Sequence, residues 1–302
     1  MSNQERVSKE AQRVAGELGA EVAFCARHLE SGTEVALSPD EYRTMASVLK
    51  VPIALAVLDR VDEGELDLEA MHPFEPADMR AGGWLTAPLI KDRGRLQLST
   101  FSVIDAALRA SDNAAWLKMM QILGGIEPVQ VFLAKHGLDG IRSTNSVYDD
   151  SYERLLKSFG YERAMPASAL TDAERVTLLE QHFTAERDAC TAAGMVELLA
   201  RLYRGELLSR SSTDLVLEIM AACETSESKL RALLPPGIKV MDKTGTISGI
   251  LACDAGLIEL PGGNGTVAVM VFAWAPDAGV DALDKVVAHV GRLVYDRFVC
   301  TG

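Results

Sequence analysis

The sequence predicts a mixed α/β (α+β) fold: an antiparallel sheet flanked by terminal helices, with an all-helical domain inserted between its two halves. Three observations carry this. Strand-like runs lie towards both ends of the chain, helical patterns fill the middle, and the two terminal segments are themselves amphipathic.

Taken in order, the opening MSNQERVSKEAQRVAGELG is charged and amphipathic, as a surface helix should be. Two strand-like runs follow, EVAFCARHL at 21–29 and EVALS at 34–38, split by the turn ESGT. From 47 to about 208 the period is helical: ALAVLDRVDEGELD, TFSVIDAALRA, NAAWLKMMQIL, VQVFLAKHG and AAGMVELLARLYRGELL, punctuated by Gly or short polar turns. Strands return with GIKVMDK, GILACDAGLIEL and GTVAVMVFAWAP, the last two joined across the tight turn PGGNG. A final helix sets Leu283, Val286, Val287, Val290, Leu293 and Val294 on one face. The predicted division is a discontinuous sheet domain, 1–46 with 210–302, and a helical domain, 47–209, containing an extended segment at about 147–187.

Composition narrows the function classes. A chain of 302 residues with 48% hydrophobic content can build a substantial core. Its formal charge of −13 offers no basic face to nucleic acid or to an anionic membrane. No apolar stretch approaches the ~18–20 residues of a membrane span, and the N-terminal pattern lacks the apolar core of an export signal. A cytoplasmic protein is the expectation. Its five cysteines, widely spaced and without a Cys-x-x-Cys pair, read as reduced thiols. The histidines show no ligand spacing, so neither a metal nor a cofactor is expected, and the partner is a small molecule.

Chemistry enters with SVLK, residues 47–50. On a helix, positions i and i+3 share a face, so Ser47 and Lys50 can meet. A serine at a helix N-terminus lies where backbone N–H groups favour an oxyanion. A lysine can take its proton if burial depresses the amine's pKa. The bland alternative is a capping serine beside a snorkelling lysine. A second match, Ser226 to Lys229 in SESK, is not taken as a site. Two further motifs follow, Ser111-Asp112-Asn113 between helical patterns and Lys243-Thr244-Gly245-Thr246 leaving a strand. Alone, these would be an N-cap turn and a strand end. Ser-x-x-Lys, Ser-Asp-Asn and Lys-Thr-Gly in that order, on helix, loop and strand, are much more specific.

With these motifs the chain resembles the class A β-lactamase-like serine hydrolases and penicillin-binding proteins. The likeness extends through YRTMASVLKVPIALAVLDRVDEGEL, AERDACTAAGMVELLARLYRGELLS and the strands around VMDKTGT. It implies a cleft between a sheet domain and a helical domain. It implies Ser47 as the acylated nucleophile, Lys50 as its base and Ser111 as the proton shuttle, with Lys243 and Thr244 opposite. Asn113 and Gly245 would contact substrate, the N–H groups of Ser47 and Thr246 would form the oxyanion hole, and Trp84 would stand at the cleft mouth.

Two departures from the family pattern matter. Val147 stands where the resemblance implies the deacylating glutamate, and the segment from there to Arg187-Asp188 is longer than the family's compact loop. Asp149, Asp150 and Glu153 are the candidate substitutes. Cys253 and Asp254 fall near where many relatives carry an arginine that clamps a substrate carboxylate, which a thiol cannot replace. The expected function is a serine hydrolase cleaving an amide, ester or lactam through an acyl-Ser47 intermediate. The alternatives are a true class A-type β-lactamase with a substitute base from 147–187, and a protein that captures an acyl donor as a sensor.

Overall fold

The computed structural model describes residues 3–144, 150–158, 170–184, 186–275 and 280–300. Helix α1 (Asn3–Glu17) leads into strands β1 (Glu21–His28) and β2 (Glu34–Leu37), followed by a two-residue strand β3 (Arg43–Thr44). A 3-10 turn, Ala46–Leu49, runs into α2 (Lys50–Asp62). Then come β4 (Met71–Phe74), α3 (Thr86–Arg93), β5 (Leu96–Ser99), α4 (Thr100–Arg109), α5 (Asn113–Leu123) and α6 (Glu127–Lys135). After β6 (Ile141–Arg142) the inserted segment contributes α7 (Asp150–Ser158) and α8 (Asp172–His182). The chain continues through β7 (Ala189–Cys190), α9 (Ala192–Tyr203) and α10 (Arg210–Ala221). It closes with β8 (Val240–Ile247), β9 (Leu251–Glu259), β10 (Thr266–Trp274) and α11 (Val280–Val299).

The main sheet has the order β2-β1-β10-β9-β8, with every neighbouring pair antiparallel. Strand β10, from near the C-terminus, lies beside β1, from near the N-terminus; Cys25 opposes Met270 in that pairing. The register explains the sequence. TVAVMVFAW shows no polar alternation because β10 is buried on both faces, between two helical layers. On one face Val22, Phe24 and Ala26 pack with Val286, Val287, Val290 and Val294 of α11, the stripe predicted from the sequence. Leu293 is only partly buried at its edge. On the other face Cys25, Met270 and Phe272 pack with Met195, Val196 and Leu199 of α9 and with the helical body. Burying such side chains contributes roughly 1.5–3 kcal/mol each, so this double-sided core dominates the stability.

The inserted region is helical, with two small ribbons inside it. β4 pairs with β5, and β3, β7 and β6 form a three-stranded patch. That patch closes around a contact where Gly140 and Gly194 touch: a Cβ on either would lie 2.6 Å from the other's Cα. It brings Arg43, just before the Ser47 turn, into register with Cys190, just before α9. The Ser47 turn is thereby held between sheet and helices.

Candidate active site

The approach to Ser47 is fixed on both sides. Met45 N–H donates to Asp188 O at 3.0 Å, and Ala46 has φ +44°. A non-glycine residue held left-handed stores of order 1–3 kcal/mol, which the surrounding contacts must sustain. No side chain caps the 3-10 turn or α2, so Ser47 is not spent as a helix cap. It lines a cleft of about 190 Å³ instead.

Lys50, first residue of α2, is 1% exposed. Its Nζ donates to Ser111 O at 2.6 Å, to Asn113 Oδ1 at 2.8 Å and to Ser111 Oγ at 3.3 Å. From the other side Lys243, also fully buried, donates to the same Ser111 Oγ at 3.0 Å and to Thr244 O at 2.9 Å. Ser111 itself is left-handed, at φ +56°. Its hydroxyl bridges the two buried lysine amines.

The neighbours of Ser111 hold it there. Asp112 caps α5 through Ala115 N–H at 2.9 Å and accepts from Leu85 N–H, Thr86 N–H and the Thr86 hydroxyl. Asn113 turns its amide to Ala81 O at 2.8 Å and its carbonyl to Lys50. The loop carrying Trp84 is therefore tied to the two residues that follow Ser111, Asp112 and Asn113, and Trp84 and Asn113 both line the cleft.

Burial depresses Lys50 well below the usual lysine value, and the charge of Lys243 adds to this, while Asp112 opposes it. Lys243 is lowered as well, chiefly by burial. A lowered amine pKa means that neutral amine is present at lower pH, so Lys50 can accept a proton at a pH where an ordinary lysine stays charged. Acylation of Ser47 is therefore expected to rise with pH and level off well below pH 10.5, following loss of the Lys50 proton. The observed rate constant for a penicillin, followed across pH 5–11, checks this. A rate still climbing tenfold per unit at pH 10 would exclude Lys50 as the base.

Strand β8 supplies the opposite wall. Thr244 and Thr246 line the cleft, and Thr244 Oγ1 lies 2.5 Å from Thr225 Oγ1. Gly245 is pressed against the Ser47 turn. A Cβ there would meet Cys253 Sγ at 2.6 Å and Met45 O at 2.7 Å, so only glycine allows the strand this close. Behind β8 lie two buried carboxyls. Asp242 is held by Arg231, Nε to Oδ1 at 3.0 Å, and Asp254 by Ser226 Oγ at 3.2 Å and Leu230 N–H at 3.3 Å. Burial raises both, Asp254 well above the carboxylate range, and the nearby Asp242 pushes Asp254 further.

Residues 253 and 254, read from the sequence as lying near the place of an arginine clamp, do not line the cleft. Both side chains are buried, and Cys253 Sγ donates to Met45 O at 3.3 Å. A lysine reaches the cleft from the second Ser-x-x-Lys, Ser226 to Lys229. Lys229 lines the cleft, 5% exposed, anchored by Asp284 at 3.1 Å. Ser226 turns away from it to Asp254. Two aromatic walls were also missed, Trp116 of α5 and Phe183 at the end of α8.

Of the candidate deacylation bases, Glu153 has a described side chain, and it does not line the cleft. Glu153 accepts from Ala81 N–H at 3.0 Å and pairs with Lys157 at 3.5 Å. Val147 and Asp149 lie outside the described residues, as does the side chain of Asp150. Among the described residues that line the cleft, none is a carboxylate. Two lysines, Lys50 and Lys229, line the cleft with no acid among its described lining residues, and positive charge there favours anionic ligands in a strongly acidic protein.

Comparison with known proteins agrees with this geometry. Beta-lactamase VEB-1 of Pseudomonas aeruginosa is 26% identical over 272 residues, covering 87% of this chain and 80% of that protein. A beta-lactamase of Rhodobacter capsulatus is 28% identical over 290 residues, covering 96% and 87%. Among solved structures, the ancestral GNCA class A beta-lactamase superposes with a TM-score of 0.77 at 26% identity, covering 96% of this chain and 99% of that one. A beta-lactamase from Chitinophaga pinensis DSM 2588 shares the fold, with a TM-score of 0.77 at 24% identity over 96% of this chain and 98% of that one. The model of the beta-lactamase enzyme family matches residues 6–298, and the chain belongs to that family.

Proposed function

We propose that this chain is a serine hydrolase that opens β-lactams or closely related amides bearing an anionic group, through an acyl-Ser47 intermediate. The observation that carries this is the hydroxyl of Ser111 held between the amines of Lys50 and Lys243 at 3.3 and 3.0 Å. That relay joins the side of the nucleophile to the side of the leaving group. Neutral Lys50 takes the Ser47 proton as Oγ attacks the carbonyl carbon. The oxyanion develops towards the N–H groups of Ser47 and Thr246. As the C–N bond breaks, Ser111 gives its proton to the departing nitrogen and is reprotonated from the lysine ammonium. Lys243 keeps positive charge opposite, and Asn113 and Trp84 position the acyl side.

Lys229 favours an anionic substrate. A buried ammonium anchored by Asp284, beside Thr225 and Thr244, suits a carboxylate on the leaving-amine side. Lys229→Met is expected to raise KM for a penicillin roughly 10–100-fold, from losing a charge-assisted hydrogen bond, with a smaller change for a neutral p-nitrophenyl ester. Equal losses on both substrates would remove Lys229 from substrate recognition. Steady-state turnover of nitrocefin and of p-nitrophenyl esters tests the whole reading; hydrolysis of neither would overturn it. We also place the protein in the cytoplasm, a reading supported by four buried free thiols, Cys25, Cys190, Cys223 and Cys253.

A further inference from the structure

Helix α7 of the inserted segment carries none of the three motifs, yet it reaches the loop that frames the cleft. Its Glu153 accepts from Ala81 N–H, at 3.0 Å through Oε1 and 3.3 Å through Oε2. The carboxylate is 14% exposed and pairs along the helix with Lys157 at 3.5 Å. Leu155, with no exposed surface, seats α7 against the body of the protein. Ala81 is fully buried, and its carbonyl is engaged as well, accepting from Asn113 Nδ2 at 2.8 Å. One residue is thus held by the inserted helix at its N–H and by a cleft residue at its C=O.

Gly82 makes this coupling tight. Its carbonyl accepts from Asn113 N–H at 3.1 Å, and its φ is +76°. A Cβ there would lie 2.5 Å from Asn113 Nδ2, so glycine is required for the close approach as well as for the backbone. Asn113 Oδ1 in turn accepts from Lys50 Nζ at 2.8 Å. The amide has one orientation that works. With its NH₂ on Ala81 O its oxygen faces Lys50; reversed, it would set a donor against an amine. Contacts therefore run without a break from Glu153 through Ala81 and Asn113 to Lys50. The same loop is held at its other end by Asp112, through Leu85 N–H at 2.9 Å, with Trp84 between the two ties.

We propose that Glu153 is a positioning residue for acylation: it fixes Ala81, and Ala81 fixes the orientation in which Asn113 faces Lys50. This rests on the acyl-Ser47 reading above. A bond from a backbone N–H to a carboxylate is charge-assisted, and at a largely buried side chain water is a poor replacement for it. The inserted segment thereby acts on the nucleophile's side of the reaction from outside the cleft, through backbone atoms.

The test reads the rate constant for adduct formation with a penicillin by intact-mass spectrometry, so a role in hydrolysis of the adduct does not enter. Glu153→Ala is expected to slow acylation roughly 10–100-fold, the loss that follows a small displacement of a positioned group. Glu153→Gln keeps an oxygen for Ala81 N–H and should recover most of the rate. In a chain already carrying Asn113→Ala, adding Glu153→Ala should cost no more than about twofold, because both changes then break one chain of contacts. If Glu153→Ala does not fold, as judged by its thermal midpoint, Glu153→Ser, too short to reach Ala81, replaces it. Acylation within about twofold of wild type in the folded variant, a loss in Glu153→Gln equal to that in Glu153→Ala, or losses additive with Asn113→Ala would each overturn the proposal. If the wild-type chain forms no adduct, the hydrolase reading has failed, and Glu153 is judged by amide hydrogen exchange alone. Faster exchange over residues 79–86 in Glu153→Ala, absent in Glu153→Gln, supports the hold on Ala81; equal exchange in all three proteins removes it.

Discussion

Ser47→Ala is expected to abolish covalent labelling by a penicillin and to lower hydrolysis by roughly 10⁴–10⁶-fold, the range lost when a nucleophile acting with its base is removed. The fold should survive. Ser47 makes no capping bond, and Ala46 before it is what carries the backbone strain. The loss should therefore appear in activity and adduct formation without a fall in thermal midpoint. Lys50→Ala removes the partner of the same step and should lose nearly as much, so the double variant should lose little more than either alone. Intact-mass spectrometry and steady-state rates on the three proteins check this. Labelling that persists in Ser47→Ala would place the nucleophile elsewhere, and additive losses would mean that the two residues serve different steps.

Much of this site was legible because regular structure converts spacing into direction. Ser47 and Lys50 enter a helix, where i and i+3 share a face, and the apolar run after them announced that Lys50 is buried. Lys243 follows from the Lys-Thr-Gly motif leaving the strand-like run GIKVM. The same logic fails for Ser226 and Lys229. They lie in a run of turns, where three-residue spacing implies no common face, and the two side chains go to different carboxyls, Asp254 and Asp284. The ribbons β3, β6 and β7 escaped notice because two residues show no alternation. Phe183 escaped because its place depends on the path of the inserted segment. The main sheet was easier: long apolar strands and the turn at 261–265 specify a hairpin locally, whereas the pairing of β1 with β10 needed the two terminal helices as a shared cover.

The second large effect concerns the fate of the acyl-enzyme. On the proposed mechanism acylation uses Lys50, Ser111 and the N–H groups of Ser47 and Thr246, residues that all line one cleft. Hydrolysis of the ester needs a group that holds and deprotonates a water, and no carboxylate stands among the described residues lining the cleft. Lys50, neutral again once Ser111 has been reprotonated, is held away from that task by its hydrogen bonds to Ser111 and Asn113. Losing a general base slows its step by ~10²–10⁴-fold, so deacylation should become limiting while acylation remains fast. Mixing with a penicillin should then give a burst of ring opening followed by slow turnover, with a single adduct on Ser47 persisting in the mass spectrum. Such behaviour would bring the protein close to an acyl-capturing sensor, the second reading that this carboxylate-free lining favours. The opposite result is equally informative. An adduct that never accumulates would mean that Asp149, Asp150 or Glu153 brings its carboxylate over the cleft, and changing the responsible residue to its amide should trap the adduct. Glu153 has a competing role, since Ala81 N–H and Lys157 already hold its carboxylate. Glu153→Gln should therefore leave the adduct lifetime unchanged, and a lengthened lifetime in that variant would make Glu153 the missing base.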